Sequence, residues 1–132
     1  MTEVAERVYP TPAISMETEA YWAAANEGKL LMKRCTDCNK THFYPRAICP
    51  HCQSFYTEWY EASGRGVIYS YSVMRRGNNP YAIAYVTVEE GVTMLSNIVE
   101  CDYDGLSIGQ SVEVVFRKST DSRQSVPVFR PV

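Results

Sequence analysis

Nowhere do the 132 residues hold an apolar run near the ~20 residues that a membrane-crossing helix needs. Positive charge is not in excess either: 13 Lys and Arg stand against 15 Asp and Glu, for a net charge of −2. A chain so balanced lacks the broad positive field on which non-specific nucleic-acid binding draws. Histidine is scarce, with two in all, His42 and His51, close together in sequence. A catalytic constellation is therefore hard to assemble, because imidazole is the commonest general acid–base group. Internal repeats and low-complexity tracts are missing. The first twelve residues mix charges of both signs and hold no apolar segment of a secretory signal. Five cysteines, four clustered plus the odd Cys101, suit a reducing compartment better than a disulfide framework. The expectation is a soluble, cytoplasmic protein.

What the chain does have is ordinary globular composition, 45% hydrophobic and 21% charged, enough for one domain or a small domain with a metal module. Its strongest signal is Cys35-Thr36-Asp37-Cys38, ten residues, then Cys49-Pro50-His51-Cys52. Two such knuckles read as one site of four thiolates around structural Zn2+, each tight turn supplying two ligands of a tetrahedron. A redox dithiol or a pair of disulfides are the competing readings. Backbone N–H groups two and three residues past the first cysteine of a knuckle can point at its sulfur. Pro50 sits where the missing N–H costs little, and Asn39 is of the type that tolerates positive φ. A closed four-cysteine site keeps no open coordination position, so its metal holds structure and does not catalyse.

Around the knuckles the chain divides into three: 1–28 as an extended segment and helix, 29–57 as the ribbon, and 58–132 as an all-β barrel. Ser15 is the expected N-cap of a helix that Gly28 stops, with Glu17 and Glu19 favourably placed in its first turn. Met16, Ala20, Ala23, Ala24 and Glu27 fall near one face, with Tyr21 and Trp22 beside it. So short a helix needs a surface to pack on, either the chain's own barrel or a partner that meets Tyr21 and Trp22. Residues 30–34 and 41–44 read as ribbon strands. From residue 58 onward, period-2 runs over 67–74, 81–88, 92–99 and 111–117, with a further one near 126–129, are separated by turn signals. A helical turn is expected near 102–106. The pattern suits a five-stranded OB-fold, though an SH3-like barrel fits it too.

In order along the chain come Lys29-Leu30, Cys35 and Cys38, Tyr44-Pro45-Arg46-Ala47-Ile48-Cys49-Pro50, Trp59, and Ser63-Gly64-Arg65-Gly66-Val67-Ile68-Tyr69-Ser70-Tyr71. Ile83-Ala84-Tyr85-Val86, Glu90-Gly91 and Ile108-Gly109-Gln110-Ser111-Val112 follow. This series, covering roughly 16–130, closely resembles the acyl-CoA-associated family that joins a rubredoxin-like zinc ribbon to an OB-fold. Many members carry glycine directly after each knuckle, where this chain has Asn39 and Gln53. Asn39 is a mild change, while Gln53 points to a different turn. The resemblance implies a mainly β fold: an N-terminal helix, the ribbon, then a five-stranded OB-fold barrel. It also implies a non-catalytic accessory subunit of a thiolase-fold partner, in a thiolase or aldolase complex acting on a CoA thioester, with two copies of each chain.

No catalytic residue is assigned. His42 and His51 read as packing or surface residues of the ribbon, and Cys101 as a small hydrophobe, since no local base would activate it. Arg75 and Arg76, at a strand end, are candidates for contacting the phosphates of CoA, because guanidinium matches phosphate bidentately; Arg46 is a third. Tyr69 with Tyr71, and Tyr81 with Tyr85, alternate on adjacent strands. Such a face can stack nucleic-acid bases or form a protein interface. A zinc-ribbon and OB-fold module for nucleic acid, and a free-standing acyl-CoA-binding protein, are thus the alternative functions.

Overall fold

The computed structural model describes residues 9–75 and 79–132. One helix, α1 (Glu19–Asn26), is followed by β1 (Leu31–Cys35), β2 (Thr41–His42) and β3 (Thr57–Glu61), then by β4 (Arg65–Met74), β5 (Tyr81–Val88), β6 (Thr93–Ile98), β7 (Ser111–Lys118) and β8 (Ser125–Pro131). A 3-10 turn, Tyr103–Gly105, precedes β7, with Asp102 capping it by accepting the Asp104 N–H. Among the described residues, no helix is long and apolar enough to cross a membrane.

Strands β4 to β8 close a barrel in the order β4-β5-β6-β8-β7, with β7 returning to β4. The pairs β4–β5, β5–β6, β7–β8 and β4–β7 are antiparallel, and β6 meets β8 in parallel at Ile98 and Phe129. That is the Greek-key order of an OB-fold, and it separates the two barrels that periodicity left open. A register shift between Ile68 and Ser70 bends β4, so that one strand pairs with β5 along its length and with β7 at its start. Strict alternation on β5 turns Ala82, Ala84, Val86 and Val88 inward.

The ribbon sheet has the order β2-β1-β3. Its third strand, Thr57–Glu61, runs past residue 57, where the sequence reading ended the ribbon. The predicted return strand over 41–44 is shortened to Thr41–His42.

The helix differs from expectation in start and in face. Thr18 is its N-cap, and Ser15 instead accepts the Thr18 N–H in a preceding turn. Met16 is 94% exposed, and Ala20 and Ala23 face outward, while Tyr21, Trp22, Ala24 and Ala25 are buried. Bulk explains the rotation, since two aromatic side chains remove more apolar surface from water than alanines can. Tyr21, Trp22 and Ala25 share one core with Leu30 and Met32 of the ribbon and with Ile68, Val86 and Phe129 of the barrel. The helix therefore packs on its own chain. At its C-terminal end Asn26 Oδ1 accepts the Ser125 N–H at 2.8 Å, and Gln124 Nε2 donates to the Trp22 carbonyl at 2.9 Å. The extended segment is held from Tyr9 on, whose carbonyl accepts the Thr120 N–H. Residues 1–8 lie outside the described residues.

Candidate metal centre and docking surfaces

Each knuckle closes by the same local turn. The Asn39 N–H donates to the Cys35 carbonyl at 2.8 Å, and the Gln53 N–H to the Cys49 carbonyl at 2.9 Å. Asn39 has φ 62° and Gln53 φ 64°, the left-handed conformation that favours glycine. Gln53 thus adopts the turn of Asn39, and the expected difference between the knuckles is absent. The Cys38 N–H points at Cys35 Sγ (3.5 Å), and the His51 N–H at Cys49 Sγ (3.4 Å). Pro50, lying between Cys49 and His51, forgoes no such bond.

The four sulfurs of Cys35, Cys38, Cys49 and Cys52 lie within 4.8 Å of one another. Cys35 and Cys52 are 3.5 Å apart and Cys38 and Cys49 3.7 Å. A tetrahedron of sulfurs ~2.3 Å from zinc has edges of about 3.8 Å, so the donor set fits Zn2+ in size and chemistry. The Cys38 N–H, aimed at Cys35 Sγ, lowers that thiol to about 6, so one thiolate forms readily. The Ser54 N–H acts the same way on Cys52, but the neighbouring thiols outweigh it and push Cys52 up to about 12. Four thiolates this close need a cation between them. The site is a zinc-ribbon centre, and the metal supplies cross-linking of two turns that have little core of their own.

Next to this centre, the segment between the knuckles is held by its backbone. His42 is buried, and its Nε2 accepts the Arg46 N–H at 3.2 Å. Lys33 Nζ, on the neighbouring strand, donates to the Arg46 carbonyl at 3.3 Å and lies 4.7 Å from the Trp59 ring centroid. Glu17 accepts the Ala47 N–H at 2.7 Å. The Arg46 side chain is left exposed. The bonds from Lys33 and Glu17 were not legible in the sequence, because they join residues 13 and 30 positions apart; the His42 bond spans four residues, and the pairing of Lys33 with His42 was the available signal.

The other candidates are scattered. Arg75, at the end of β4, donates to Asp104 at 2.7 Å on an exposed surface. Arg76 lies outside the described residues. Arg46 belongs to the ribbon, so the candidate arginines do not form one visible cluster. Tyr21 and Trp22 keep 2% and 8% exposure. They pack edge-on to each other, Tyr21 packs against Phe43 and Tyr44, and Trp22 Nε1 donates to Tyr44 Oη at 2.8 Å. The helix surface that meets solvent is instead built by Glu19, Ala20, Ala23 and Asn26, with Met16 exposed in the turn before it. Cys101 is half-buried, and burial raises its thiol pKa, with Asp102 adding to the effect. That is the opposite of nucleophile activation. His51 is exposed beside the metal ligands.

Two family models match. Residues 22–57 match "ChsH2, rubredoxin-like zinc ribbon domain", and residues 59–117 match "ChsH2, C-terminal OB-fold domain". The chain is 34% identical over 127 residues to a protein of Thermomonospora curvata described as "Probable enoyl-CoA hydratase alpha subunit", covering 92% of this chain but 40% of that protein. It is 41% identical over 92 residues to a "DUF35 domain-containing scaffold protein" of Methanothermobacter thermautotrophicus, covering 64% of this chain and 69% of the relative. Among solved structures, "Ltp2-ChsH2(DUF35) aldolase" superposes with a TM-score of 0.80 at 32% identity, over 92% of this chain and 98% of the matched one. A DUF35 protein of Sulfolobus solfataricus shares the fold, with a TM-score of 0.65 at 16% identity. With both halves matched in order, the chain belongs to the ChsH2/DUF35 family, a rubredoxin-like zinc ribbon joined to an OB-fold.

Proposed function

We propose that this chain is the non-catalytic accessory subunit of a thiolase-fold enzyme that makes or breaks a carbon–carbon bond of an acyl-CoA. The observation that carries the reading is the 0.80 superposition on a chain of "Ltp2-ChsH2(DUF35) aldolase", over 98% of that chain. Chemistry within this chain supports the same division of labour. Its metal donors are four thiolates with no open position, and its odd cysteine is held protonated by burial. The bond-making groups then belong to the larger subunit, and this chain positions and completes its surroundings. Two copies of each chain form the assembly, which works in the cytoplasm on a CoA thioester.

Within that assembly Arg46 is the better placed of the two described candidates, Arg46 and Arg75, to meet a CoA phosphate. Its peptide is fixed at both N–H and carbonyl while its side chain is exposed at the surface. Arg75 would have to leave Asp104, a small loss for an exposed pair, about 0–1 kcal/mol. Native mass spectrometry of the tagged chain drawn from its own host tests the reading. A complex with a thiolase-fold chain, with one zinc per small chain, is expected. A zinc-bound monomer recovered alone would overturn it.

A further inference from the structure

The barrel presents a face that the metal centre does not use. On β4, β5 and β6 the sole charged residue is Arg65, at the start of β4. Pairing sets Ser70 opposite Tyr85 and Tyr85 opposite Leu95, and sets Ser72 opposite Ile83. These positions point away from the inward row of Ala82, Ala84 and Val86. Tyr69 is 65% exposed, Leu95 55%, Tyr85 49% and Ile83 38%. Ile83, Tyr85 and Leu95 thus form one apolar band across β5 and β6, bordered on β4 by Ser70 and Ser72, while Tyr69 stands exposed at the register shift of β4.

Leu95 is the ridge of that band. On one side lies a depression of about 130 Å3 bordered by Tyr71, Ile83, Tyr85 and Leu95. It has space for roughly four water molecules, or for one branched aliphatic side chain. On the other side a groove of about 260 Å3 runs from Leu95 and Asn97 to Tyr21, Trp22, Phe43 and Tyr44. The two helix aromatics, though buried, therefore form part of its wall. The face is continuous from barrel to helix to ribbon.

Chemistry narrows the occupant. Nucleic acid needs several cations flanking the aromatics for its phosphates; here the strands carry Arg65 alone, and Arg75 just beyond β4 is paired with Asp104. Interface centres, by contrast, are depleted of charge and enriched in tyrosine. A second copy of this chain fits badly, because the outside of a closed barrel is convex. Two convex faces touch only along their crests, whereas a stable interface takes ~800 Å2 per partner. A flat or concave uncharged surface on a different protein meets the band fully.

We propose that the outer face of β4–β5–β6, with Leu95 as its ridge, docks the larger catalytic subunit, which inserts an aliphatic side chain between Ile83, Tyr85 and Leu95. The proposal rests on the accessory-subunit reading and adds the surface through which it works. Its test uses the full chain with the thiolase-fold subunit of its host, comparing wild type, Leu95→Glu and Leu95→Met by native mass spectrometry and titration calorimetry. Melting temperature and zinc content of each variant show that the fold is kept. Binding about thirtyfold weaker or more for Leu95→Glu, the loss typical of a truncated anchor residue, with Leu95→Met close to wild type, is expected. If Leu95→Glu does not fold, Tyr85→Asp on the facing strand carries the same comparison. Wild-type affinity in the charged variant overturns the docking face and leaves the accessory reading standing. A wild-type chain that ignores the larger subunit overturns the accessory reading, and the docking face with it. A dimer of this chain alone that Leu95→Glu dissolves gives the face to a second copy and overturns the proposal as well.

Discussion

Lys33 Nζ lies 3.3 Å from the carbonyl oxygen of Arg46, and through that bond a strand of the ribbon holds the segment between the knuckles. His42, paired with Lys33 across β1 and β2, accepts the N–H of the same residue. The peptide groups on both sides of Arg46 are thus satisfied by side chains, and its guanidinium takes no part. Both ends of this arrangement can be separated by mutation. Lys33→Met keeps an apolar stem but loses a charge-assisted bond and the contact with Trp59, and should destabilise the protein by about 1.5–3 kcal/mol. Arg46→Ala removes only an exposed side chain and should change stability by less than about 0.5 kcal/mol. Urea unfolding of the two variants checks the contrast. Equal losses would show that the Arg46 side chain, not its backbone, carries the contact.

Zinc removal should divide the molecule. Strands β1, β2 and β3 are five, two and five residues long, and besides the metal the knuckle regions are joined by a few exposed hydrogen bonds, such as Ser54 Oγ to Asp37 and the Thr36 N–H to the Tyr56 carbonyl. The barrel closes its own hydrogen-bonded circuit. With a strong chelator, or with Cys49→Ser, hydrogen exchange over 31–61 should rise to near the unfolded rate. Exchange over 81–98 should stay slow. Uniform deprotection of both regions would show instead that ribbon and barrel unfold as one unit.

The parts of this architecture that were legible are those written in short-range pattern. Knuckle spacing announces the metal centre, because ligand geometry demands two tight turns. Alternation announces β5, whose inward positions are all apolar, and glycine or acidic turns mark its end. What pattern did not announce depends on tertiary competition. The helix face was misjudged because Met16 and the alanines match a stripe, yet Tyr21 and Trp22 have more surface to bury. Thr57–Glu61 has no buried/exposed alternation to reveal it; its first four residues are all half-buried, and pairing with β1 defines the strand. Gln124, buried at 5% and bonded to the helix, is a polar residue whose role exists only once β8 and α1 meet. The left-handed Gln53 was unexpected because the metal-closed turn overrides the preference of a single residue.

Close approach of strands makes another sharp test. A Cβ on Gly66 would lie 2.6 Å from the Thr87 carbonyl oxygen and 2.9 Å from Val86 Cγ1. The first of these is backbone on the paired strand β5, which cannot rotate aside, so Gly66→Ala must push the strands apart. A loss of about 1–3 kcal/mol is expected. Gly105→Ala is the control: its φ is not positive and its nearest neighbours stand 3.6 Å away. It should lie within about 1 kcal/mol of wild type. Thermal melts of the pair decide it, and a Gly66→Ala protein as stable as Gly105→Ala would mean that β4 and β5 are not paired as described.

The last prediction concerns acid. His42 accepts the Arg46 N–H at Nε2, so its proton sits on Nδ1, which makes no hydrogen bond among the described residues. Burial lowers its pKa below the ordinary 6.5, and the positive charges of Lys33 and Arg46 act in the same direction. Protonation would also turn Nε2 from acceptor into donor, against the N–H that it now receives. The unfolded chain therefore takes up this proton at a higher pH than the folded one. Stability from neutral His42 is complete above about pH 6.5 and falls as pH drops from there toward the lowered folded pKa. His42→Gln can keep an acceptor for Arg46 but cannot titrate. The melting temperature of wild type relative to His42→Gln should thus decline between pH 7.5 and 5.5, with zinc saturating in both. A difference that stays flat across that range would mean that His42 carries a proton in the folded protein as readily as in the unfolded chain, and that the imidazole does not hold the Arg46 peptide by accepting from it.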